Sequence, residues 1–161
     1  MPHRSCFGLI LHTAAGKAQK PAVTIKDGDK TLKKGTDYTV SYKNNTNIGT
    51  ASATIKGKGD YTGTKTVKFS IVPPATTLTA EKGDGKFKLS WKAVNGITKY
   101  QIQYSTDGGK TFESAGKAAN TKTSSSLKLD TSKTCTFRIR SYKTVDGKKY
   151  YSEWSKAVTV K

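Results

Sequence analysis

A chain of 161 residues has room for one large domain or two small ones. Its 29 Lys+Arg stand against 11 Asp+Glu, a formal net charge of +18, and its hydrophobic fraction is only 34%. That fraction excludes one thick α/β core in favour of thin β-modules with much polar surface, and no apolar run nears the roughly 20 residues of a membrane-spanning helix.

So basic a chain invites a nucleic-acid reading, yet the make-up of the charge opposes it. Arginine occurs only at Arg4, Arg138 and Arg140, and the other basic residues are lysines. Lysine is a hydrated point charge, whereas arginine offers the planar fork suited to phosphates and base edges. The lysines also alternate along strand-like stretches, as at Lys86 and Lys88, which is the pattern of a solvated face that resists edge pairing. Nucleic acid is therefore not expected as a partner, and attraction to other acidic polymers is the lesser reading.

Residues 1–16, "MPHRSCFGLILHTAAG", do not match the remainder of the chain. Arg4, the run Phe7 to Leu11 and the small residues Ala14 to Gly16 suggest a signal peptide. The run breaks at His12, short of the usual 7–15 apolar residues. The segment reads as a disordered or artefactual leader. It holds Cys6 and both histidines, His3 and His12.

Period-two patterning begins in the first module, residues 17–72. Val23 and Ile25 alternate with polar neighbours, Asp27-Gly28-Asp29 turns the chain, and Tyr38, Val40 and Tyr42 share one face. "NNTNIG" at 44–49 is turn chemistry. Ala51, Ala53 and Ile55 form a further strand, "GKGDYTG" at 57–63 a glycine-rich corner, and Val67, Phe69 and Ile71 the last strand. Short strands about ten residues apart are the pattern of a β-sandwich.

The blocks "GTDY" at 35–38, "NIGTA" at 47–51 and "GKGDYTG" at 57–63 closely resemble an Ig-like repeat of secreted, cell-wall-associated proteins of Gram-positive bacteria. "GKAQKPAVTI" at 16–25 resembles the opening segment of that repeat. The family carries a further strand ahead of it, which residues 1–16 do not supply. The resemblance thus implies a module cut at its start, with a sheet edge left open or filled by the leader.

Pro73 and Pro74 mark a linker at 73–76, since proline cannot donate to a ladder and favours an extended joint. In the second module, residues 77–161, Phe87, Leu89 and Trp91 alternate with polar residues. Asn95-Gly96 turns the chain, Tyr100, Ile102 and Tyr104 share a face, and Leu127, Leu129, Cys135, Phe137, Ile139, Trp154, Val158 and Val160 come after them. "LSW" at 89–91, "YQIQYS" at 100–105, "LDTSKTCTFRIRSY" at 129–142 and "YSEWSKAVTV" at 151–160 together resemble a fibronectin type III domain. That family usually has a tyrosine six residues after the leucine at 129, where Cys135 stands here. The resemblance implies a missing corner hydrogen bond and a buried thiol in its place.

"STDGGKTF" at 105–112 resembles the Asp-box hairpin found on sialidase propellers. The box is itself a folding device, in which the aspartate ties down turn amides while the aromatic packs beneath. A sialidase also needs repeated boxes, an arginine cluster and a tyrosine nucleophile, and one box with two arginines on one strand does not supply them.

Arg138 and Arg140, two apart on one strand, point to the same face. Aromatic stacking from Trp154 or Tyr142 on a solvated face is the expected arrangement. Tyr150, Tyr151 and Trp154 offer the alternative of an exposed aromatic platform for sugars. These five residues, Arg138, Arg140, Tyr150, Tyr151 and Trp154, are the candidate surface-binding set.

Catalytic constellations fail in turn. Without histidine in 17–161 no Ser-His-Asp or Cys-His set forms there. Asp27 with Asp29, or Asp107 with Glu113, sit on turns with no expected pocket, and no glycine loop precedes a helix. Neither cysteine stands in a metal-ligand spacing. The expectation is an all-β chain of two tandem β-sandwich modules (Ig-like and fibronectin type III), with no catalytic, cofactor or metal site. The two resemblances imply a monomeric structural or adhesive module on the cell surface, with cell-wall polymers, glycans or host matrix proteins as partners. The alternative is an accessory or carbohydrate-binding part of a larger secreted hydrolase.

Overall fold

The computed structural model describes residues 11–13 and 16–161, and those residues form strands, turns and irregular segments without an α-helix. Cys6 lies outside the described residues, as does most of the leader. Two compact units divide at Ile71/Val72, and the fold is that of β-sandwich modules.

In the first unit, β1 (Leu11–Thr13), β4 (Tyr38–Lys43), β5 (Gly49–Gly57) and β6 (Thr64–Val72) form one sheet in the order β1-β6-β5-β4. β2 (Lys26–Asp27) and β3 (Lys30–Thr31) make a small hairpin. Alternation along β5 buries Ala51, Ala53 and Ile55 and leaves Thr50 and Lys56 exposed. The buried row meets Phe69 and Ile71 of β6, with Val40 and Tyr42 against them. A second cluster joins Leu32, Tyr38 and Ile55, flanked by Val23, Ile25 and Tyr61.

The residues 18–25 run as an irregular strap with no strand of their own. Tyrosine hydroxyls hold the strap: Tyr38 donates to the Val23 carbonyl at 2.8 Å and Tyr42 to the Pro21 carbonyl at 2.6 Å. Asn45 Nδ2 adds a bond to the Gln19 carbonyl, and the Gln19 amide donates back to the Asn45 carbonyl. The outer edge of β6 is not left open, because Leu11–Thr13 of the leader adds there as β1.

The second unit starts at Val72, just ahead of the proline segment. Pro73 is fully buried, Thr76 is buried and donates to the Lys92 carbonyl, and the Pro74 carbonyl accepts from Ser141. Residues 73–76, read as a joint, are thus packed into this unit. One sheet holds β7 (Leu78–Gly83), β8 (Lys86–Trp91) and β11 (Ser124–Leu127), in the order β11-β8-β7. The other holds β9 (Lys99–Ser105), β10 (Glu113–Ala119), β12 (Cys135–Val145) and β13 (Lys148–Tyr151), in the order β10-β9-β12-β13, with β14 (Val158–Val160) also on β12. Phe87, Leu89 and Trp91 meet Tyr100, Ile102, Cys135, Phe137 and Ile139 in one core. Phe87 and Phe137 lie 5.1 Å apart and Trp91 and Tyr100 5.4 Å apart, ring centre to ring centre. Cys135 is a free, buried thiol whose pKa burial pushes up.

Candidate functional site

The site is built on the outer face of the larger sheet of the second unit. β12 presents Arg138 and Arg140 on one side and buries Phe137, Ile139 and Ser141 on the other. The register sets Arg138 opposite Gln103 and Arg140 opposite Gln101 of β9. Each arginine Nε donates to the glutamine carbonyl facing it, at 2.8 Å and 2.9 Å. With Nε fixed, each guanidinium is held in orientation as well as position.

The last segment supplies the rings. Ser152 pairs with Ser141 and Ser155 with Ile139 through backbone bonds of 2.9 Å and 2.8 Å, and Val158 then pairs with Phe137. The segment therefore advances three residues for every two of β12, the spacing of an extended three-residue turn. The hydroxyls of Ser152 and Ser155 accept the Ser141 and Ile139 amides in place of carbonyls. Both serines are buried, and Trp154 is turned outward between them.

Trp154 lies 4.4 Å from the guanidinium carbon of Arg138 and 4.3 Å from that of Arg140, measured to its ring centre. The two arginines stand about 6.6 Å apart along one face of β12, so the indole lies between their guanidiniums. Phe112 covers Arg138 at 3.7 Å and Tyr151 covers Arg140 at 4.0 Å. Five side chains thus stack in the order Phe112, Arg138, Trp154, Arg140, Tyr151, and Tyr142 lies beyond Tyr151 at 5.3 Å. Burial lowers the pKa of both guanidiniums, which stay charged because arginine is too strong a base to lose its proton in a protein.

Four of the five expected binding residues come together here, and the fifth does not. Tyr150 has the opposite strand parity and is buried. The expected sugar platform also fails, because both faces of Trp154 are covered. Arg140 pairs with Tyr151 and Trp154, not with Tyr142. Phe112, Gln101 and Gln103 belong to the site and are absent from the set expected from the sequence. The period-two pattern of "YQIQYS" already placed both glutamines on the outward face.

Phe112 reaches the stack through the Asp-box. Asp107 accepts from the amides of Lys110 and Thr111 and from the hydroxyls of Ser105 and Thr111, at 2.6–3.0 Å. The hydroxyl bonds from Ser105 and Thr111 hold its carboxyl far below the usual carboxylate range. Gly109, at φ 89°, accommodates the tight turn beside the Phe112 ring. The ring lies against Gly109 of its own hairpin, as the Asp-box reading expects, and also against Arg138 on the outer face of the sheet.

The first unit contains a cavity of about 330 Å³ between the β2–β3 hairpin and the glycine corner. Ile25, Leu32, Tyr38 and Ile55 floor it, and Asp27, Asp37, Tyr61 and Lys65 stand at its sides. Asp27 therefore does border a pocket, contrary to the sequence expectation. Asp37 is committed to the turn, accepting the Lys33 amide at 2.7 Å. Among the described residues no three His, Cys, Asp or Glu side chains cluster to hold a metal.

No family model and no curated protein matches the chain. Among solved structures, a two-domain fibronectin type III segment of chicken tenascin is 18% identical, with TM-score 0.53, over 72% of this chain and 66% of that one. Pectate lyase Pel3 from Pectobacterium carotovorum is 14% identical, with TM-score 0.42, over 50% of this chain. A β-1,2-glucanase from Parabacteroides distasonis is 18% identical, with TM-score 0.48, over 68% of this chain. This chain spans 26% of the lyase and 17% of the glucanase. The tenascin likeness shows a fibronectin type III and Ig-like fold and nothing finer.

Proposed function

We propose that this chain is a non-catalytic structural or adhesive module of a secreted bacterial surface protein, with the first unit an Ig-like surface repeat and the second a fibronectin type III domain. The observation that carries the reading is the outer face of the second unit. There the side chains best suited to reactivity or ligand stacking are consumed by the fold. Trp154 is covered on both faces, both guanidiniums are sandwiched, and Asp107 is saturated by its own turn. Such a face stiffens a small sandwich, which suits a module that must hold its shape outside the cell. The repeat blocks at 35–38, 47–51 and 57–63 support the bacterial surface setting.

An antibody against the chain tests the reading on the producing cells. Labelling of intact cells, or recovery of the protein from the medium, is the expected result. Labelling that needs permeabilised cells overturns it, as does turnover of a polysaccharide by the purified chain. The 330 Å³ cavity favours a second reading, an accessory carbohydrate-positioning module, since that volume is within the range of small-molecule pockets.

A further inference from the structure

The stack closes ring faces but leaves the ends of the guanidiniums. Among the described residues the hydrogen bonds of Arg138 and Arg140 use Nε alone, so the four terminal N–H donors of each are without a protein acceptor. Both side chains are only half-buried. A guanidinium sandwiched between rings is open only in its own plane, where paired N–H groups fit a carboxylate or sulfate bidentately. Glu153 is exposed, and its carboxylate acts on Arg140 through space without a hydrogen bond.

The same geometry selects against other ligands. Neutral sugars bind chiefly by laying a ring face on an aromatic, and unpaired bases by stacking. Trp154 offers no free face, Arg138 and Arg140 offer none, and Tyr151 lies between Arg140 and Tyr142. What remains is a row of in-plane donor edges on one strand, repeating at the roughly 6.6 Å of alternate strand residues. We infer that this row is a binding site for acidic polysaccharide, read through carboxylate or sulfate groups by the edges of Arg138 and Arg140. The inference rests on the surface-module reading and names the ligand class of that module. Preorganisation by the rings and by Gln101 and Gln103 is what separates this site from the many loose lysines, because little side-chain entropy is left to lose.

The test is a titration of the whole chain with a galacturonate oligomer, dextran sulfate, uncharged dextran and single-stranded DNA at 150 mM salt. Binding of the first or the second, at least 10-fold tighter than dextran and DNA, is expected; which of the two binds tighter identifies carboxylate or sulfate as the group read. In R138K/R140K, which keeps both charges but loses the forks, affinity falls at least 10-fold. In K56A/K68A, which changes two exposed lysines away from both the stack and the cavity, it changes less than 2-fold. Equal binding by R138K/R140K, a larger loss in K56A/K68A, preference for DNA, or no binding of either anion overturns the inference. Should the double variant unfold, the arginine Nε–H resonances of the unmodified chain decide. They shift on titration with the bound anion if the site is real and stay fixed if it is not. A negative result leaves cell-surface labelling unaffected, so the two readings fail separately.

Discussion

At the scale of single residues, Trp154 carries the most. Its indole holds two guanidiniums, and each such contact is worth about 0.5–2 kcal/mol. W154A is expected to destabilise the second unit by about 2–3 kcal/mol, lowering its thermal midpoint by roughly 10–20 °C. Calorimetry of the variant checks this. The indole's role was half legible: "RIR" and "YSEWS" announced aromatic–arginine contacts, but ring order depends on a segment that abandons period two. Gly57 is a second sensitive point, because a Cβ there would stand 2.5 Å from the Tyr61 carbonyl oxygen. Backbone must move, so G57A is expected to cost about 1–3 kcal/mol in denaturant unfolding. Cys135, expected from the sequence as a buried thiol, is 1% exposed. In a C6S background it is expected to resist thiol reagents until denaturant unfolds the second unit.

At the scale of elements, the strap at 18–25 and the Asp-box hairpin are held by side chains, not by ladders. The strap depends on the hydroxyls of Tyr38 and Tyr42. Y38F and Y42F are each expected to cost about 1 kcal/mol and to speed hydrogen exchange at the Gln19 amide. Alternation made these tyrosines visible as one buried face, yet it gave no sign that their hydroxyls would reach a strap 15 and 21 residues earlier. For the hairpin the sign of the pH effect comes from Asp107, whose carboxyl is depressed in the folded state. Its contribution is complete above the ordinary carboxylate range near pH 4 and is lost as the pH falls below it. D107N is expected to be less stable at pH 7 and to lose part of the acid-dependence of the parent, measured by thermal melts at pH 2–7. The motif "STDGGKTF" foretold the bonds to Asp107. It did not foretell that Phe112 would also meet Arg138, because that depends on which face of the sheet the hairpin folds over.

At the scale of the molecule, composition and period-two patterning sufficed for an all-β chain with two cores. Turn signals such as Asp27-Gly28-Asp29, with Gly28 at positive φ between β2 and β3, fell where the strands reverse. Proline was less informative. Pro73 and Pro74 mark the passage between units, but chain chemistry alone does not say that Pro73 is buried in the second. The pocket beside Asp27 was equally invisible, since it depends on the β2–β3 hairpin meeting the glycine corner. The +18 charge belongs mostly to scattered lysines, whereas Arg138 and Arg140 are both sandwiched between rings. Nitrogen-15 spectra of the arginine side chains probe that pair most directly. Two Nε–H resonances, strongly shifted by the neighbouring rings, slow to exchange and returned to ordinary positions by W154A, are the expected result. Arg138 and Arg140 signals both at ordinary positions in the unmodified chain would contradict it.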